Sequence, residues 1–178
     1  MIETERLILR HWRDEDRAPF AEMSADPQVM LHLDGPVGRE ASDAVIDRLA
    51  REGRERGHTF WAIERKEDGA MLGFCGLRRG GHAGTAVPDE LEIGWRLRRE
   101  AWGKGYAREA ALASLDWGWA HRDAPRIAAW TVTANAASWG LMERIGMVRR
   151  PELDFDHPRF APGHPLCRHI VYAIGRPA

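Results

Sequence analysis

The chain has 178 residues, of which 44% are hydrophobic and 30% charged, a composition that excludes collagen-like, low-complexity and disordered proteins. This length is enough for one domain with a full hydrophobic core, so we predict a single domain over residues 1–178. The 26 basic and 27 acidic side chains leave a formal charge of −1. Such a balance gives no reason to expect nucleic acid or an anionic membrane as a partner.

The N-terminus and the cysteines bear on the compartment. Glu3 and Glu5 stand where a secretory signal carries basic residues, and no stretch reaches the ~20 apolar residues of a membrane span. Cys75 and Cys167 match no metal or redox spacing, and the eight histidines are scattered without ligand spacing. We therefore expect a soluble cytoplasmic protein with two reduced, buried thiols and no bound metal.

The first half of the chain predicts a strand, three helices and a hairpin. Asp14 has the residue type of a helix N-cap, and the apolar residues Ala41, Val45 and Leu49 recur at helical spacing before Gly57. A turn signal at residues 67–69 separates two strand-like stretches. The predicted elements are a strand at 6–11, helices at 14–23, 27–33 and 39–56, and hairpin strands at 59–64 and 70–77.

Strand-like and helix-like segments alternate in the second half. They are a strand at 90–97, a helix at 105–122 that buries Ala111, Leu115 and Trp119, a strand at 126–133, a helix at 135–145, and β-rich segments at 147–155 and 166–174. This order predicts a mixed α/β sheet in one domain. The strand–helix–strand succession in the centre favours at least one parallel pair, because crossover connections join parallel strands.

A small glycine-bearing turn, Trp102 to Ala107, lies between a predicted strand and a predicted helix. Gly103 and Gly105 permit positive φ angles and a close approach of a ligand to the backbone. The unpaired N–H groups and the dipole at the start of the helix favour an anion such as a pyrophosphate. The dinucleotide fingerprint does not fit because Arg108 takes the place of its third small residue, and a Walker A loop does not fit because Arg98 replaces its first glycine.

The turn resembles the acetyl-CoA loop of the GNAT superfamily of N-acetyltransferases, Gln/Arg-x-x-Gly-x-Gly/Ala, with Trp102 in the Gln/Arg position. Two further motifs occur in the family's order. Residues Thr4 to Arg10 match the Thr-Glu-Arg-Leu-x-Leu-Arg opening of the branch resembling ribosomal-protein alanine N-acetyltransferases, and Asn135, Ser138 and Gly146-Met147 match its Asn-x-x-Ser and Gly-Met motif. The resemblance implies a mostly antiparallel central sheet with one splayed parallel pair and helices on both faces.

The resemblance also implies a reaction, in which an acetyl group moves from acetyl-CoA to a primary amine by direct attack on the thioester. The amine belongs to a protein N-terminus or a small molecule, and a homodimer is expected. Backbone groups of Trp95 and Leu97 would bind the pantetheine arm, and Asn135 and Ser138 would contact the pantetheine or the nucleotide, a role compatible with Asn135 as a helix N-cap. The pyrophosphate would lie on the loop residues Trp102, Gly103, Lys104, Gly105, Tyr106 and Ala107.

An ammonium group cannot attack a thioester, so some group must accept its proton. Glu90 and Glu92 lie on the same face of one predicted strand. The Glu-x-Gly-aromatic pattern of the family branch favours Glu92 as the base, with a water chain, or a merely solvated carboxylate, as the alternative. Many relatives place a proton-donating Tyr four residues before the glycine that matches Gly146, but Met142 stands there in this chain. We assign neither Tyr106 nor Tyr172 to that role.

The sequence also leaves two other functions open. Ser138 followed by Asp154 or Asp156 and by His157 or His169 has the Ser-Asp-His order of a serine hydrolase. A non-catalytic acyl-CoA-binding regulatory protein is favoured by the missing tyrosine. The sequence leaves the acceptor amine unidentified; in this family its pocket is formed by regions that correspond to residues 27–56 and 152–166.

Overall fold

The computed structural model describes residues 1–177. The strands are β1 (Ile2–Glu3), β2 (Leu7–Arg10), β3 (Phe60–Arg65), β4 (Met71–Gly80), β5 (Glu90–Leu97), β6 (Arg126–Val132), β7 (Val148–Arg149), β8 (Phe155–Asp156) and β9 (Arg168–Gly175). The α-helices are α1 (Arg17–Ala25), α2 (Arg39–Arg56), α3 (Tyr106–His121) and α4 (Ala136–Arg144). The predicted bounds of α2 and β5 coincide with those of the structure.

The nine strands form one mixed sheet in the order β1-β2-β3-β4-β5-β6-β9-β7, with β8 beside β9. The neighbours β5 and β6 are parallel, whereas the other pairs are antiparallel. The ladder between β5 and β6 holds one register pair, Glu92 with Ala128, while β4 and β5 pair along the full length of β5. The predicted splayed parallel pair in a mostly antiparallel sheet is therefore confirmed.

Helices cover both faces of the sheet, as predicted. Side chains alternate along β3, so Trp61 and Ile63 join the core beneath α3 and α4, and Phe60 and Ala62 join the core beneath α1 and α2. We call these the α3–α4 face and the α1–α2 face. A third apolar cluster, around Phe155, continues past β6 and β9. Cys75 and Cys167 are buried free thiols.

The start of α1 differs from the prediction. Asp14 is not its N-cap but opens a short 3-10 turn, Asp14–Asp16. The side chain of Asp16 accepts the backbone N–H of Arg13 at 2.8 Å and closes that turn. Asp16 does so because its carboxylate is drawn inward by Arg10, a long-range contact that the local sequence does not show.

The predicted helix at 27–33 is also wrong, since this segment is a succession of turns. The N–H of Met30 donates to the carbonyl of Asp26 at 3.0 Å, a span of four residues that is typical of an α-helix. The next bond, from the N–H of Leu33 to the carbonyl of Met30, spans only three residues. Val29 and Met30 are buried, whereas Leu31 and Leu33 are exposed. Two buried side chains at adjacent positions do not sustain a regular helix in so short a segment.

Two helices turn a slightly different side toward the core than predicted. Helix α2 buries Ser42, Ile46, Leu49 and Gly53, rather than Ala41 and Val45. Helix α3 buries Ala111 and Leu115 as predicted, but Trp119 is half-buried, and small residues including Ser114 and Gly118 lie in the interface.

The predicted strand at 147–155 is two short strands, β7 and β8, around a 3-10 turn at Pro151–Leu153.

Within residues 1–177, none of the helices combines the length and the hydropathy that crossing a bilayer requires.

A buried ion-pair network joins β2, β3 and the 3-10 turn. Arg10 and Asp16 are 5% and 2% exposed, and the Arg10 guanidinium donates to both carboxylate oxygens of Asp16, at 2.7 and 2.8 Å. Its Nε donates to Glu64 at 2.6 Å. This network fixes the second arginine of the N-terminal motif inside the molecule.

We expect Asp16→Asn to lower the free energy of unfolding by ~3–5 kcal/mol, because it leaves a buried arginine without its bidentate partner. Asp14→Asn is the matched control: Asp14 pairs with Arg17 at 3.1 Å, but its side chain is 92% exposed, so the loss should stay below ~1 kcal/mol. Urea unfolding measures both. Equal, small losses in the two variants would contradict the assignment.

Candidate active site

The parallel strands β5 and β6 separate just beyond Glu92. The N–H of Arg98 donates to the carbonyl of Leu72 at 2.8 Å. Leu97 and Gly73, which lie opposite each other on β5 and β4, are therefore a non-hydrogen-bonded pair. Because backbone groups alternate along a strand, the N–H groups of Trp95 and Leu97 point away from β4 and toward β6. Since β6 pairs with β5 no further than Glu92, these groups face an opening between the strands.

The loop after β5 is tied to the strand by the residue that replaces the family's Gln or Arg. The indole Nε1–H of Trp102 donates to the carbonyl of Leu97 at 2.8 Å, while the ring itself is exposed. This bond occupies the Leu97 carbonyl and leaves the Leu97 N–H facing the opening.

The glycine loop presents a row of free backbone donors. Gly103 and Gly105 have φ angles of +72° and +81°, the left-handed region that favours glycine. Within residues 1–177, the N–H groups of residues 103–107 have no hydrogen-bond acceptor, and Glu109 is the first residue of this stretch to bond back, to the carbonyl of Gly105 at 3.0 Å. Free donors at the start of a 16-residue helix suit an anionic group.

The N-terminal motif holds this loop in place. Thr4 Oγ1 and the backbone N–H of Arg6 donate to Glu109 Oε1 at 2.6 and 2.9 Å, and Arg6 Nε donates to Oε2 at 2.7 Å. Arg6 Nη1 also donates to the carbonyl of Lys104 at 3.0 Å. The two motifs, whose bonded residues are 98 to 105 positions apart in the sequence, are therefore parts of one structure, in which the first supports the start of α3.

Glu92 lies on the α1–α2 face, opposite Arg78 in the β4–β5 register. Its carboxyl group packs over Gly80, where a Cβ atom would overlap Oε2. Burial raises the pKa of Glu92 to about 7, although Arg78 and Arg48 act in the opposite direction. Within residues 1–177, no side chain donates a hydrogen bond to it. A carboxyl group with this pKa exchanges protons readily at neutral pH.

Glu90, the other candidate base, is engaged. Its carboxylate receives two bonds from Arg126, one from Nε at 3.1 Å and a shorter one from Nη2. The structure thus separates two carboxylates that the sequence placed together, leaving Glu92 as the one free to accept a proton.

A cavity of about 420 Å³ opens beside Glu92. Its lining includes Arg56, Arg78, Arg79, His82, Trp130 and His157. The rings of His82 and His157 lie 4.2 Å apart, centre to centre, and burial, with His82 and His169 nearby, lowers the pKa of His157 to about 4. At neutral pH His157 is therefore uncharged, and the positive charge of the cavity wall comes from its arginines.

Sequence reasoning missed His82, because no spacing signal links it with His157. In the part of the chain that the structure describes, no group of three or more His, Cys, Asp or Glu side chains is arranged to hold a metal ion.

Asn135 and Ser138 begin α4. Asn135 Oδ1 accepts the N–H of Ser138 at 3.3 Å, and its Nδ2 donates to Thr131 at 3.0 Å, which confirms the N-cap. The serine-hydrolase alternative finds no assembled triad: within the described residues Ser138 Oγ has no histidine partner, and Asp154 is engaged by Arg149 and the N–H of Val171.

Met142 is buried in the core, at the position where the resemblance predicts a tyrosine in many relatives. The hydroxyl group of Tyr172 donates to Glu143 at 3.1 Å, and burial raises the pKa of Tyr172. Tyr106 and Tyr172 both belong to the core of the α3–α4 face. Neither tyrosine side chain reaches the face on which Glu92 lies.

Known proteins resemble the chain in sequence and in fold. The acetyltransferase (GNAT) domain family matches residues 6–148. Two Bacillus subtilis (strain 168) proteins are similar: the uncharacterized protein YkkB is 34% identical over 151 residues, covering 81% of this chain and 83% of its own length, and the uncharacterized N-acetyltransferase YoaA is 30% identical over 148 residues, covering 82% and 81%.

Among solved structures, a GNAT-family acetyltransferase from Bacillus anthracis superposes with a TM-score of 0.78 at 26% identity over 98% of both chains. RimL, a ribosomal alpha-N-protein acetyltransferase in complex with coenzyme A, superposes with a TM-score of 0.74 at 15% identity over 97% of this chain and 95% of its own. This second likeness is one of fold alone.

We expect Glu92→Gln to stabilise the protein at alkaline pH. The pKa of Glu92 rises from 4.5 to about 7 on folding, so the folded state holds the proton more tightly and the wild-type protein loses stability as the pH rises through this window. The advantage of the variant should grow by ~1–3 kcal/mol between about pH 5 and about pH 8, measured by urea unfolding.

Glu90→Gln is the control for this experiment. It should destabilise the protein because Arg126 loses its partner. A Glu92→Gln variant that gains nothing as the pH rises would show that the carboxyl group is solvated in the folded protein.

Proposed function

The chain belongs to the GNAT acetyltransferase family, and on this premise we propose that it transfers the acetyl group of acetyl-CoA to a primary amine by direct attack on the thioester. The observation that carries the proposal is a line of free backbone N–H groups in two neighbouring segments. They begin at Trp95 in the opening between β5 and β6 and resume in the loop at residues 103–107. This line of donors suits a ligand with a polar arm and a diphosphate.

In this proposal the loop amides of residues 103–107 bind the pyrophosphate and the N–H of Leu97 binds the pantetheine arm. The N–H of Trp95 polarises the thioester carbonyl and stabilises the oxyanion that forms there. Asn135 holds the first turn of α4, and Ser138 on that turn offers its hydroxyl group to the coenzyme. The likeness to a coenzyme A complex supports coenzyme A as the ligand.

The chemistry requires an acceptor for each of two protons and one leaving group. The amine nitrogen attacks the carbonyl carbon, the C–S bond breaks as the tetrahedral intermediate collapses, and coenzyme A leaves as the thiolate. Before the attack, one proton of the ammonium group passes to Glu92, directly or through a water molecule in the cavity. The second proton leaves the nitrogen as the intermediate collapses and passes to solvent water, so that the product is a neutral amide. Because thiols titrate near ~8.5, the thiolate is a tolerable leaving group without an acid at Met142.

The acyl-CoA-binding alternative without turnover rests on Met142 alone. Against it stands Glu92, a carboxyl group kept out of water at a cost in stability and placed at the point where the strands separate. A binding protein has no use for such a group.

We expect Glu92→Gln to lower kcat by about one to three orders of magnitude, with KM for acetyl-CoA little changed, because the variant loses a proton acceptor and no coenzyme contact. The wild-type rate should rise with pH to a plateau above about 7, following the pKa of Glu92, and the variant should lack this step. Thiol release with an amine panel measures both. Wild-type turnover in the variant would remove Glu92 from the mechanism, and Glu90→Gln serves as the control.

We expect Gly105→Ala to weaken coenzyme A binding at least ~10-fold, because φ is +81° there and an alanine would distort the row of amides. Gly69→Ala is the control, with a φ of +71° in the turn between β3 and β4 and open space around it. Both variants should lose similar stability, ~1–2 kcal/mol, while titration calorimetry shows weaker binding in the first alone. Unchanged affinity in both would argue against the loop as the diphosphate site.

A further inference from the structure

Arg96 is an arginine that the fold leaves without a counter-ion. It lies near the end of β5 on the α1–α2 face, with its guanidinium 5.0 and 5.1 Å from the ring centres of Phe20 and Phe74. Within residues 1–177, no carboxylate lies within ion-pair distance of it, and its Nε is buried without a partner. Its one acceptor is the thioether sulfur of Met30, 2.8 Å from Nη1. A thioether accepts hydrogen bonds weakly.

This environment disfavours the charge. Burial, and the neighbouring cation of Arg48, lower the pKa of Arg96 to about 10. A guanidinium withdrawn from water without a carboxylate destabilises a folded protein. The flanking rings attract the guanidinium, but they do not satisfy its in-plane N–H donors. The arrangement of these donors matches the two oxygens of a carboxylate.

Arg96 lies on the same face of β5 as Glu92. The two residues lie four positions apart on one face of β5, which puts their Cα atoms ~13 Å apart along the strand. Met30, beside Arg96, belongs to the turn segment 27–34, and Asp34 of that segment forms an ion pair with Arg159 at 2.8 Å. Arg159 follows His157, which lines the cavity at Glu92. This ion pair therefore joins the segment beside Arg96 to the segment beside Glu92.

Arginines outnumber carboxylates around Glu92 and Arg96. Arg48 and Arg78 share the one carboxylate of Glu52, at 3.3 and 3.4 Å, and Arg96 has none. The cavity at Glu92 is also lined by Arg56 and Arg79, and by Asp89, which pairs with Arg79 at 3.8 Å. Such a field repels a polyamine and attracts a ligand that brings its own negative charge.

We propose that Arg96 binds the carboxylate of the acceptor, so that the acceptor is a small amine that carries a carboxylate, such as an amino acid, held with its amino group toward Glu92. This inference rests on the proposed function and adds the class of its acceptor. Arg96 would act as a specificity residue, and its carboxylate partner would supply the hydrogen bonds that the folded chain lacks.

The test compares each amino acid of a panel, from α- to ω-amino acids, with its carboxamide, which keeps the amine and removes the charge. Wild-type kcat/KM should favour the carboxylate member of the best pair by at least ~100-fold, as expected where a buried donor is left unpaired by the analogue. In Arg96→Met, which keeps the packing volume between the two rings, this preference should fall to within a few-fold of unity.

Two controls separate recognition from structure. In Arg96→Met the rate with the carboxamide and KM for acetyl-CoA should stay within a few-fold of wild type, whereas a structural role would lower both members of each pair equally. Arg96→Lys should restore part of the preference as a point charge. Arg51→Met, an exposed arginine on α2, should leave all rates unchanged.

The outcomes distinguish this inference from the proposed function. Preference for carboxamides or polyamines in the wild type would overturn the acceptor class and leave the acetyltransferase standing. Absence of transfer to any amine would overturn the proposed function; thermal shifts with the same amino acids then decide the inference, which is supported if they stabilise the wild type and not Arg96→Met, and overturned if they stabilise both or neither.

Discussion

The site depends on the failure of one strand pair to continue. Strand β5 is fully paired with β4 but meets β6 at Glu92 alone. Past this point the odd-numbered residues of β5 direct their backbone N–H and C=O groups into a gap. In a continuous sheet these groups would form hydrogen bonds with β6. A backbone donor that the fold does not satisfy needs another partner, and the same condition holds for the loop amides that follow. The splay and the glycine loop therefore form one extended surface of free donors.

The remaining structure keeps that surface in position. The carboxylate of Glu109 gathers Thr4 and Arg6 from the N-terminal segment, and Arg6 also bonds the loop at Lys104. Arg10, further along the same segment, is fixed by Asp16 and Glu64. The first ten residues thus act as a clamp between the start of α3 and the opposite face of the sheet.

Much of the fold could be predicted from local signals. The cap at Asn135, the stop at Gly57 and the turn at Gly103 and Gly105 each use a residue whose own chemistry determines the backbone around it, and each is confirmed. The predictions that failed depend on distant contacts. Asp14 has the right chemistry for a cap, but Asp16 forms the contact because Arg10 lies within its reach.

The site shows the same division. The motif placed the loop and Glu92 in the chain, but not the difference between Glu92 and Glu90. That difference arises from Arg126, which comes from another strand, and from burial. The proximity of His82 and His157 and the lack of a counter-ion at Arg96 are properties of the folded chain, which no spacing in the sequence records.

Gly80 makes room for the carboxyl group of Glu92. The carboxyl oxygen of Glu92 occupies the volume that a side chain at this position would take. Any larger residue would displace the carboxyl group of Glu92 toward solvent, where its pKa would fall back toward that of a free glutamate. The absence of a methyl group at Gly80 thereby helps to keep the pKa of Glu92 high, and replacing Gly80 by alanine would lower that pKa without touching an ionisable group.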